Sequence, residues 1–231
     1  MREAAGEPLG RRALYGRSKG KTLRAHHARL VAERLPALEL DVAALASAAR
    51  LFSFEPRELW LEIGFGGGEH LIAQAKAHPE VGLIGCEPFV NGVAKALAAI
   101  ESDGLANVRL RAGDARPLIE ALPSASLSRL FILYPDPWPK RRHNKRRMIS
   151  PEMIGEFARV ARPGASLRFA TDIDDYAGWT LQRFLESPDF RWTAQSADDW
   201  RIPWEGWCPT RYEVKARAAG RDSAYLTFVR R

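Results

Sequence analysis

The chain has 231 residues, with 35 Lys and Arg against 28 Asp and Glu, and a formal net charge of +7 at pH 7. This length allows one sizeable α/β core, and the positive charge favours an anionic partner such as nucleic acid or a membrane surface. The charged N-terminal residues exclude a signal peptide, no run approaches the roughly 18 apolar residues of a membrane span, and two isolated cysteines exclude a disulfide framework or a cysteine-rich metal site. We therefore expect a soluble, cytoplasmic protein with no membrane segment and no metal.

The N-terminal part of the chain differs in character from the rest. Residues 1 to about 27 mix Gly, Arg, Lys and His without apolar periodicity, which is typical of a flexible basic arm. Residues 28–50 predict a helical lead-in that is broken around Pro36. We expect two parts, an arm with its lead-in helix over 1–50 and the main domain over 51–231.

From residue 51 onward, short β-prone runs alternate with helix-like stretches. The predicted strands are LWLEIGF, VGLIGCE, VRLRAGD, LSRLFILYPD and SLRFATD, and the helix-like stretches include EHLIAQAKAH, VNGVAKALAAIES and PEMIGEFARVA. This alternation indicates βα units and a parallel sheet. The later runs FRWTAQSA and SAYLTFVR leave little chain for a crossover, so we predict that an antiparallel pair closes the sheet.

An acidic residue lies in or just after each of the five predicted parallel strands. These residues are Glu62, Glu87, Asp114, Asp136 and Asp172. In open α/β sheets the ligand binds outside the carboxyl ends of the strands, where these side chains would gather. The series therefore predicts a ligand site with an acidic lining.

The loop after the first strand is rich in glycine, with Gly64, Gly66 and Gly68 in the stretch EIGFGGGEH. A dinucleotide fingerprint needs a third glycine where this chain has Glu69, and a negative charge there would repel a pyrophosphate. Glu62 followed by these glycines fits the E-x-G-x-G-x-G loop of S-adenosylmethionine enzymes, whose cofactor is cationic and has no phosphate. Glu87 then stands where an acid commonly accepts hydrogen bonds from ribose hydroxyls.

The stretch LYPDPWPKRRHNKRR, residues 133–147, places an acid beside a dense basic block. Pro135 and Pro137 restrict the backbone on both sides of Asp136, so its carboxylate is held with little freedom. Trp138 offers a flat face for stacking a base, and the basic residues that follow suit backbone phosphates. We infer that the acid faces a small cationic target while the basic block holds the polyanion that carries it.

Together, LEIGFGGGEH, GCEP, AGDA, LYPDPWPKRRHNKRR, ATDIDDYA and TRYEVKA resemble the bacterial-type tRNA (guanine-N7-)-methyltransferase family, from about residue 59 to 217. The resemblance implies a Rossmann-like class I methyltransferase fold over residues 51–231, S-adenosyl-L-methionine as methyl donor, and N7 of a guanine in the tRNA variable loop as acceptor. Tyr134 stands in place of a more usual phenylalanine, and Pro139 in place of a polar residue.

The resemblance also implies residue roles. The cofactor would be bound by Glu62, Gly64, Gly66, Gly68, Glu87, Asp114 and Asp136, of which Asp136 is also the catalytic residue. The substrate would be bound by Lys140, Asp172, Thr210, Arg211, Tyr212 and Glu213. The RNA would be bound by Arg142, His143, Asn144, Lys145, Arg146 and Arg147.

Guanine N7 already has an in-plane lone pair, so its methylation needs positioning and electrostatics more than base catalysis. Asp136 would stabilise the positive charge on the purine, with Asp172 a candidate for the guanine N1 and amine donors; these two roles could be exchanged. Two alternatives stay open. One is methylation of an exocyclic amine, since PDPW also resembles the D-P-P-[YFW] motif, and the other is a non-catalytic RNA-binding module, which would not need the cofactor acids. The sequence does not determine the oligomeric state.

Overall fold

A computed structural model describes residues 16, 18, 20–45 and 51–231 of the chain. Within these residues the strands are β1 (Glu58–Ile63), β2 (Val81–Cys86), β3 (Val108–Arg111), β4 (Leu127–Leu133), β5 (Ala161–Thr171), β6 (Phe190–Trp192) and β7 (Ala224–Arg230). The helices are α1 (Ala25–Glu33), α2 (Leu35–Leu38), α3 (Glu69–Ala77), α4 (Val90–Asp103), α5 (Ala115–Ala121), α6 (Pro151–Val160), α7 (Asp174–Leu185), α8 (Asp198–Arg201) and α9 (Arg211–Ala218). Short 3₁₀ helices cover Val42–Ala44 and Arg141–Arg146.

The strands form one sheet in the order β3-β2-β1-β4-β5-β7-β6. The first five pair in parallel, and β7 pairs antiparallel with both β5 and β6. The predicted α/β fold, with a mostly parallel sheet and an antiparallel C-terminal pair, is confirmed. The chain runs outward from β1 to β3 and then returns to β4 beside β1, so the switch point of the sheet lies between β1 and β4.

Helices cover both faces of the sheet because the central strands carry apolar side chains on both faces. Every residue of β2 is buried, as expected for a strand between two helical layers. On one face Phe157 of α6 and Phe184 of α7 belong to one apolar cluster, and on the other face Leu71 of α3 and Leu97 of α4 belong to a second. The rigid sheet therefore fixes the loops at its carboxyl edge.

The lead-in helix is broken as predicted, since α1 ends at Glu33 and α2 begins at Leu35 with Pro36 in its first turn. Leu30 and Leu35 are buried in the same apolar cluster as α3 and α4. Most of the predicted basic arm lies outside the described residues, so the division at residue 50 stays a prediction. Among the described helices, none is long and apolar enough to cross a membrane.

Candidate active site

A pocket of about 390 Å³ opens at the carboxyl edge of the sheet, at the switch point. It lies where β1, β2, β3 and β4 end, between the glycine loop, the Pro135–Trp138 turn and the basic residues after it. Of the residues predicted from the sequence, its lining includes Gly64, Glu87, Asp114, Asp136, Lys145, Arg146, Arg147 and Tyr212. Below we call this the main pocket.

The glycine loop is held tightly against α4. Gly66 has a φ of 59°, a left-handed conformation that glycine adopts without a steric penalty. A Cβ atom built on Gly92 in α4 would lie 2.0 Å from the Gly66 carbonyl oxygen, so only glycine fits at position 92. A Cβ built on Gly64, in contrast, would meet no atom within 4 Å, because Gly64 borders the open pocket.

Glu87 connects this loop to the end of β2. Its carboxylate accepts hydrogen bonds from the Gly66 N–H at 2.7 Å and from the Phe89 N–H at 2.8 Å. Burial raises the pKa of Glu87, and the two backbone hydrogen bonds oppose that shift. The residue therefore shapes the pocket wall in addition to lining it.

Asp114 follows β3 and begins α5. Its side chain accepts a hydrogen bond from the Arg116 N–H at 3.1 Å and pairs with the Arg116 guanidinium at 2.6 Å. Cys86 also lines the main pocket, a position that the sequence did not single out. Burial, followed by the charges of Asp114 and Glu87, raises the pKa of the Cys86 thiol, so this cysteine is not a ready thiolate nucleophile.

Asp136 lies on the rim of the main pocket after β4, with its side chain exposed. The surrounding protein still desolvates the carboxylate enough to raise its pKa. Among the described residues, no side chain or backbone group hydrogen-bonds or ion-pairs with it. Within the described part of the chain, the carboxylate therefore has its acceptor sites open to a ligand.

The turn that carries Asp136 is strained on both sides. Tyr134 has a φ of 49° and Trp138 a φ of 44°, values that non-glycine residues rarely adopt. The Tyr134 N–H donates to the Ala170 carbonyl at 2.7 Å, and its hydroxyl lies 2.8 Å from the Ser223 hydroxyl. Both aromatic side chains line the main pocket.

The basic segment, residues 140–147, divides into an exposed part and a buried anchor. Lys140, Arg142 and Lys145 are exposed, whereas the side chain of Arg147 is buried. Arg147 donates from Nε to the Pro137 carbonyl at 2.8 Å and forms an ion pair with Asp175. Partial desolvation and the neighbouring cations lower the pKa of His143, which favours its neutral form.

Two of the predicted acids are buried away from the main pocket. The Glu62 carboxylate lies 2.7 Å from Nδ1 of His70, and both side chains are almost completely buried. The fully buried Glu213 accepts from the Trp207 indole N–H and the Tyr225 hydroxyl, each at 2.7 Å. In this structure, both carboxylates connect secondary-structure elements.

Several other predicted residues lie outside the lining of the main pocket. Asp172 follows β5 directly and pairs with Arg221 at 2.7 Å. Thr210 caps α9 by accepting a hydrogen bond from the Glu213 N–H at 3.3 Å. Outside the lining of the main pocket are Glu62, Gly66, Gly68, Lys140, Arg142, His143, Asn144, Asp172, Thr210, Arg211 and Glu213. Their assigned roles stay predictions.

Within the described part of the chain, no group of three or more His, Cys, Asp or Glu side chains is arranged to hold a metal ion. The strand order, with a pocket at the switch point that contains the carboxylates of Glu87, Asp114 and Asp136, is that of a Rossmann-like class I methyltransferase. Residues 56–226 match the family described as "Putative methyltransferase".

The curated relatives specify the family. The chain is 52% identical over 223 residues to the tRNA (guanine-N(7)-)-methyltransferase of Rhodopseudomonas palustris strain BisA53, covering 96% of this chain and 89% of the relative. It is 54% identical over 225 residues to the protein of the same name from Rhodospirillum rubrum, covering 94% and 87%. The chain belongs to the tRNA (guanine-N(7)-)-methyltransferase family.

Solved structures support the fold. The 16S rRNA methyltransferase KamB superposes with a TM-score of 0.51 at 19% identity, covering 76% of this chain and 89% of that one. Cofactor-bound Rv0187 gives a TM-score of 0.51 at 21% identity, covering 74% and 72%. At these identities, the likeness concerns the fold alone.

Proposed function

We propose that this protein transfers a methyl group from S-adenosyl-L-methionine to N7 of a guanine in tRNA, in the variable loop, forming 7-methylguanosine. The observation that carries the proposal is the Asp136 carboxylate. It lies on the rim of a pocket that also contains Glu87 and Asp114, has no hydrogen-bond partner among the described residues, and stands four positions before the basic segment. The names of the curated relatives support the same reaction.

The main pocket suits the proposed cofactor. Its lining includes the carboxylates of Glu87, Asp114 and Asp136, which complement a ligand with a sulfonium and an ammonium group. The open space beside Gly64 allows close approach of a ligand to the backbone. When bound, the cofactor supplies the electrophilic methyl group.

We assign cofactor binding to Glu87 and Asp114, with Gly64 bordering the ligand. Gly66 and Gly68 set the conformation of the glycine loop, and Glu62 supports the loop from its buried side through the contact with His70. The Glu87 carboxylate is already oriented by two backbone N–H groups, so it is preorganised to accept further hydrogen bonds from ribose hydroxyls.

We assign the stabilisation of charge on the purine to Asp136. N7 needs no deprotonation, so the protein must hold the base and stabilise the positive charge that methylation places on it. The two prolines and the anchored turn fix the carboxylate before the base arrives. Asp172 is our candidate for the N1 and amine donors of guanine, once it exchanges its Arg221 partner for the base.

We assign RNA binding to the basic segment and substrate contacts to Lys140, Arg211 and Tyr212, with the buried Thr210 and Glu213 holding α9 in position. The exposed side chains of the segment can contact backbone phosphates, which gives affinity without sequence information. Tyr212, which lines the main pocket and is 41% exposed, can reach the base directly. Because the proposed substrate is tRNA, we place the reaction in the cytoplasm.

The test is an incubation of the protein with unmodified tRNA and isotopically labelled S-adenosylmethionine, followed by nucleoside mass spectrometry against authentic standards. We expect labelled 7-methylguanosine. A methylated adenosine or N2-methylguanosine as the sole product would contradict the N7 assignment, and tRNA binding without methyl transfer would favour a non-catalytic RNA-binding module.

A further inference from the structure

A second pocket, of about 350 Å³, lies beside the main pocket, and below we call it the side pocket. It is formed where the basic segment meets the start of α6 and the exposed side of α7. Its lining is Asn144, Lys145, Ser150, Pro151, Glu152, Trp179 and Arg183. Lys145 lines both pockets, so its side chain lies between them.

We propose that the side pocket binds the RNA nucleotide adjacent to the guanine that enters the main pocket. This inference rests on the proposed function, since it assumes an RNA substrate. A base that enters a pocket must leave its stack, and the neighbouring nucleotide then needs a new position close by. A pocket that shares a wall residue with the main pocket provides such a position.

The charges of the side pocket match a nucleotide better than a simple anion. Lys145 and Arg183 suit a phosphate group, whereas Glu152 and Ser150 can accept hydrogen bonds from a base edge or a ribose hydroxyl. A carboxylate in the lining would disfavour inorganic phosphate alone. The N-terminus of α6, capped by Ser150 and beginning at Pro151, adds the positive end of a helix dipole.

Arg183 is held in place for this role. Its guanidinium lies 4.5 Å from the centre of the Trp179 ring and pairs with Glu186 at 2.8 Å. Arg147 also lies against Trp179, at 5.1 Å, so two guanidinium groups already contact the indole. The side pocket therefore recognises the polar edges of a nucleotide and does not depend on stacking against Trp179.

Two polar atoms of the lining residues bear on the kind of ligand that the side pocket can hold. Oδ1 of Asn144 and Nε of Arg183 are shielded from water and have no hydrogen-bond partner among the described residues. Leaving such atoms unpaired costs free energy, and a polar ligand that supplies partners after a small side-chain shift recovers it. The side pocket thus favours occupation by a group with both donors and acceptors.

The first experiment compares Arg183→Gln with Arg191→Gln, a matched change at an exposed arginine on the edge strand β6. We expect Arg183→Gln to raise the KM for tRNA roughly three- to tenfold and to reduce the log-log salt slope of tRNA binding by about 0.7. The Kd for S-adenosylmethionine should be unchanged in both variants, and Arg183→Gln should lower the Tm only slightly, since the contacts that it loses with Trp179 and Glu186 are partly exposed. Equal KM values and salt slopes for the two variants would overturn the inference.

The second experiment asks whether a base occupies the side pocket. Two tRNAs carry an abasic site, one on the 5′ side and one on the 3′ side of the target guanine, and each is tested with wild type and with Glu152→Gln. We expect one abasic tRNA to lower kcat/KM for wild type and to cost clearly less for Glu152→Gln, because the two changes remove the same contact. Equal losses in both proteins, for both tRNAs, would overturn the inference.

The outcome for the side pocket is separable from the outcome for the proposed function. If wild type forms 7-methylguanosine and the abasic losses are equal, only the side pocket is wrong. If wild type binds tRNA and forms no 7-methylguanosine, the proposed reaction is wrong whatever the variants show.

Discussion

Replacing Gly92 with alanine tests whether the glycine loop is positioned by its close contact with α4. The added Cβ would lie 2.0 Å from the Gly66 carbonyl oxygen and 3.0 Å from the Gly66 carbonyl carbon, both of them backbone atoms. Such atoms normally stay more than 3.0 Å from a Cβ, so α4 and the loop must separate by about 1 Å. A shift of that size can break the 2.7 Å hydrogen bond from the Gly66 N–H to Glu87.

The expected cost follows from these two effects. Overpacking of a tight contact costs about 1–3 kcal/mol, and the loss of a hydrogen bond to a charged group costs about 1.5–3 kcal/mol. The two costs are not additive, because moving the loop away from α4 relieves the overpacking but breaks the hydrogen bond. We therefore expect Gly92→Ala to lower the free energy of unfolding by about 2–4 kcal/mol and to weaken S-adenosylmethionine binding at least tenfold.

The assay combines chemical denaturation with calorimetric titration of S-adenosylmethionine. The control is Gly155→Ala in α6, where an added Cβ would meet no atom within 4 Å and alanine should be neutral or stabilising by up to about 1 kcal/mol. If Gly92→Ala does not fold, Glu87→Gln removes the charged acceptor without overpacking and should still weaken cofactor binding. Unchanged stability and cofactor affinity in Gly92→Ala would refute this account of the loop.

Three further predictions concern charged residues. Asp136→Asn should reduce the rate of methyl transfer far more than tRNA affinity, and it should remove an acidic limb of the pH–rate profile. Because the pKa of Asp136 is raised, wild-type activity should fall on acidification at a higher pH than for an ordinary aspartate. The same acidic limb in the variant would contradict this assignment. Arg142→Ala should flatten the salt slope of tRNA binding by about 0.7–0.9 at unchanged Tm. Arg147→Ala should instead lower the free energy of unfolding by about 2–4 kcal/mol, since of the two arginines only Arg147 is buried. Binding at several salt concentrations and chemical denaturation distinguish this pattern from its reverse. Glu213→Gln should lower the free energy of unfolding by about 1–3 kcal/mol because its buried acceptor is replaced in part by a donor, and the same loss in the exposed control Glu120→Gln would argue against that cause.

The fold could be predicted because its signals are local and repeated. Each parallel strand is a short apolar run followed by a polar turn. The antiparallel closure is also as predicted, although the reason given for it was wrong, because the stretch between β6 and β7 is long enough to hold α8 and α9. The lengths of the strands were harder to predict from the sequence. β5 begins at Ala161, before the predicted SLRFATD run, because residues 162–165 continue the strand through a register irregularity with β4 that no periodicity reveals.

The location of the candidate site could be predicted from the sequence, but which of its acidic residues line the pocket and which are buried elsewhere could not. Strand-end acids predict a common edge, and the structure brings Glu87, Asp114 and Asp136 to one pocket. Glu62 also belongs to a strand, yet it is buried against His70, because the direction of a side chain near a strand end depends on the pleat and on its neighbours. Motif position gives the place of a residue, whereas its partners come from parts of the chain far away in sequence.

The turn around Asp136 shows why such distant partners matter for the proposed chemistry. The positive φ angles of Tyr134 and Trp138 cost about 1–3 kcal/mol each, so the turn needs support from the surrounding structure. That support comes from β5 and Ser223 on the Tyr134 side and from Arg147, through the Pro137 carbonyl, on the other. Arg147 ends the basic segment, so its other residues extend from an anchor that also fixes the acid. The same buried arginine therefore supports both the turn that carries the carboxylate and the side chains that we propose to bind RNA.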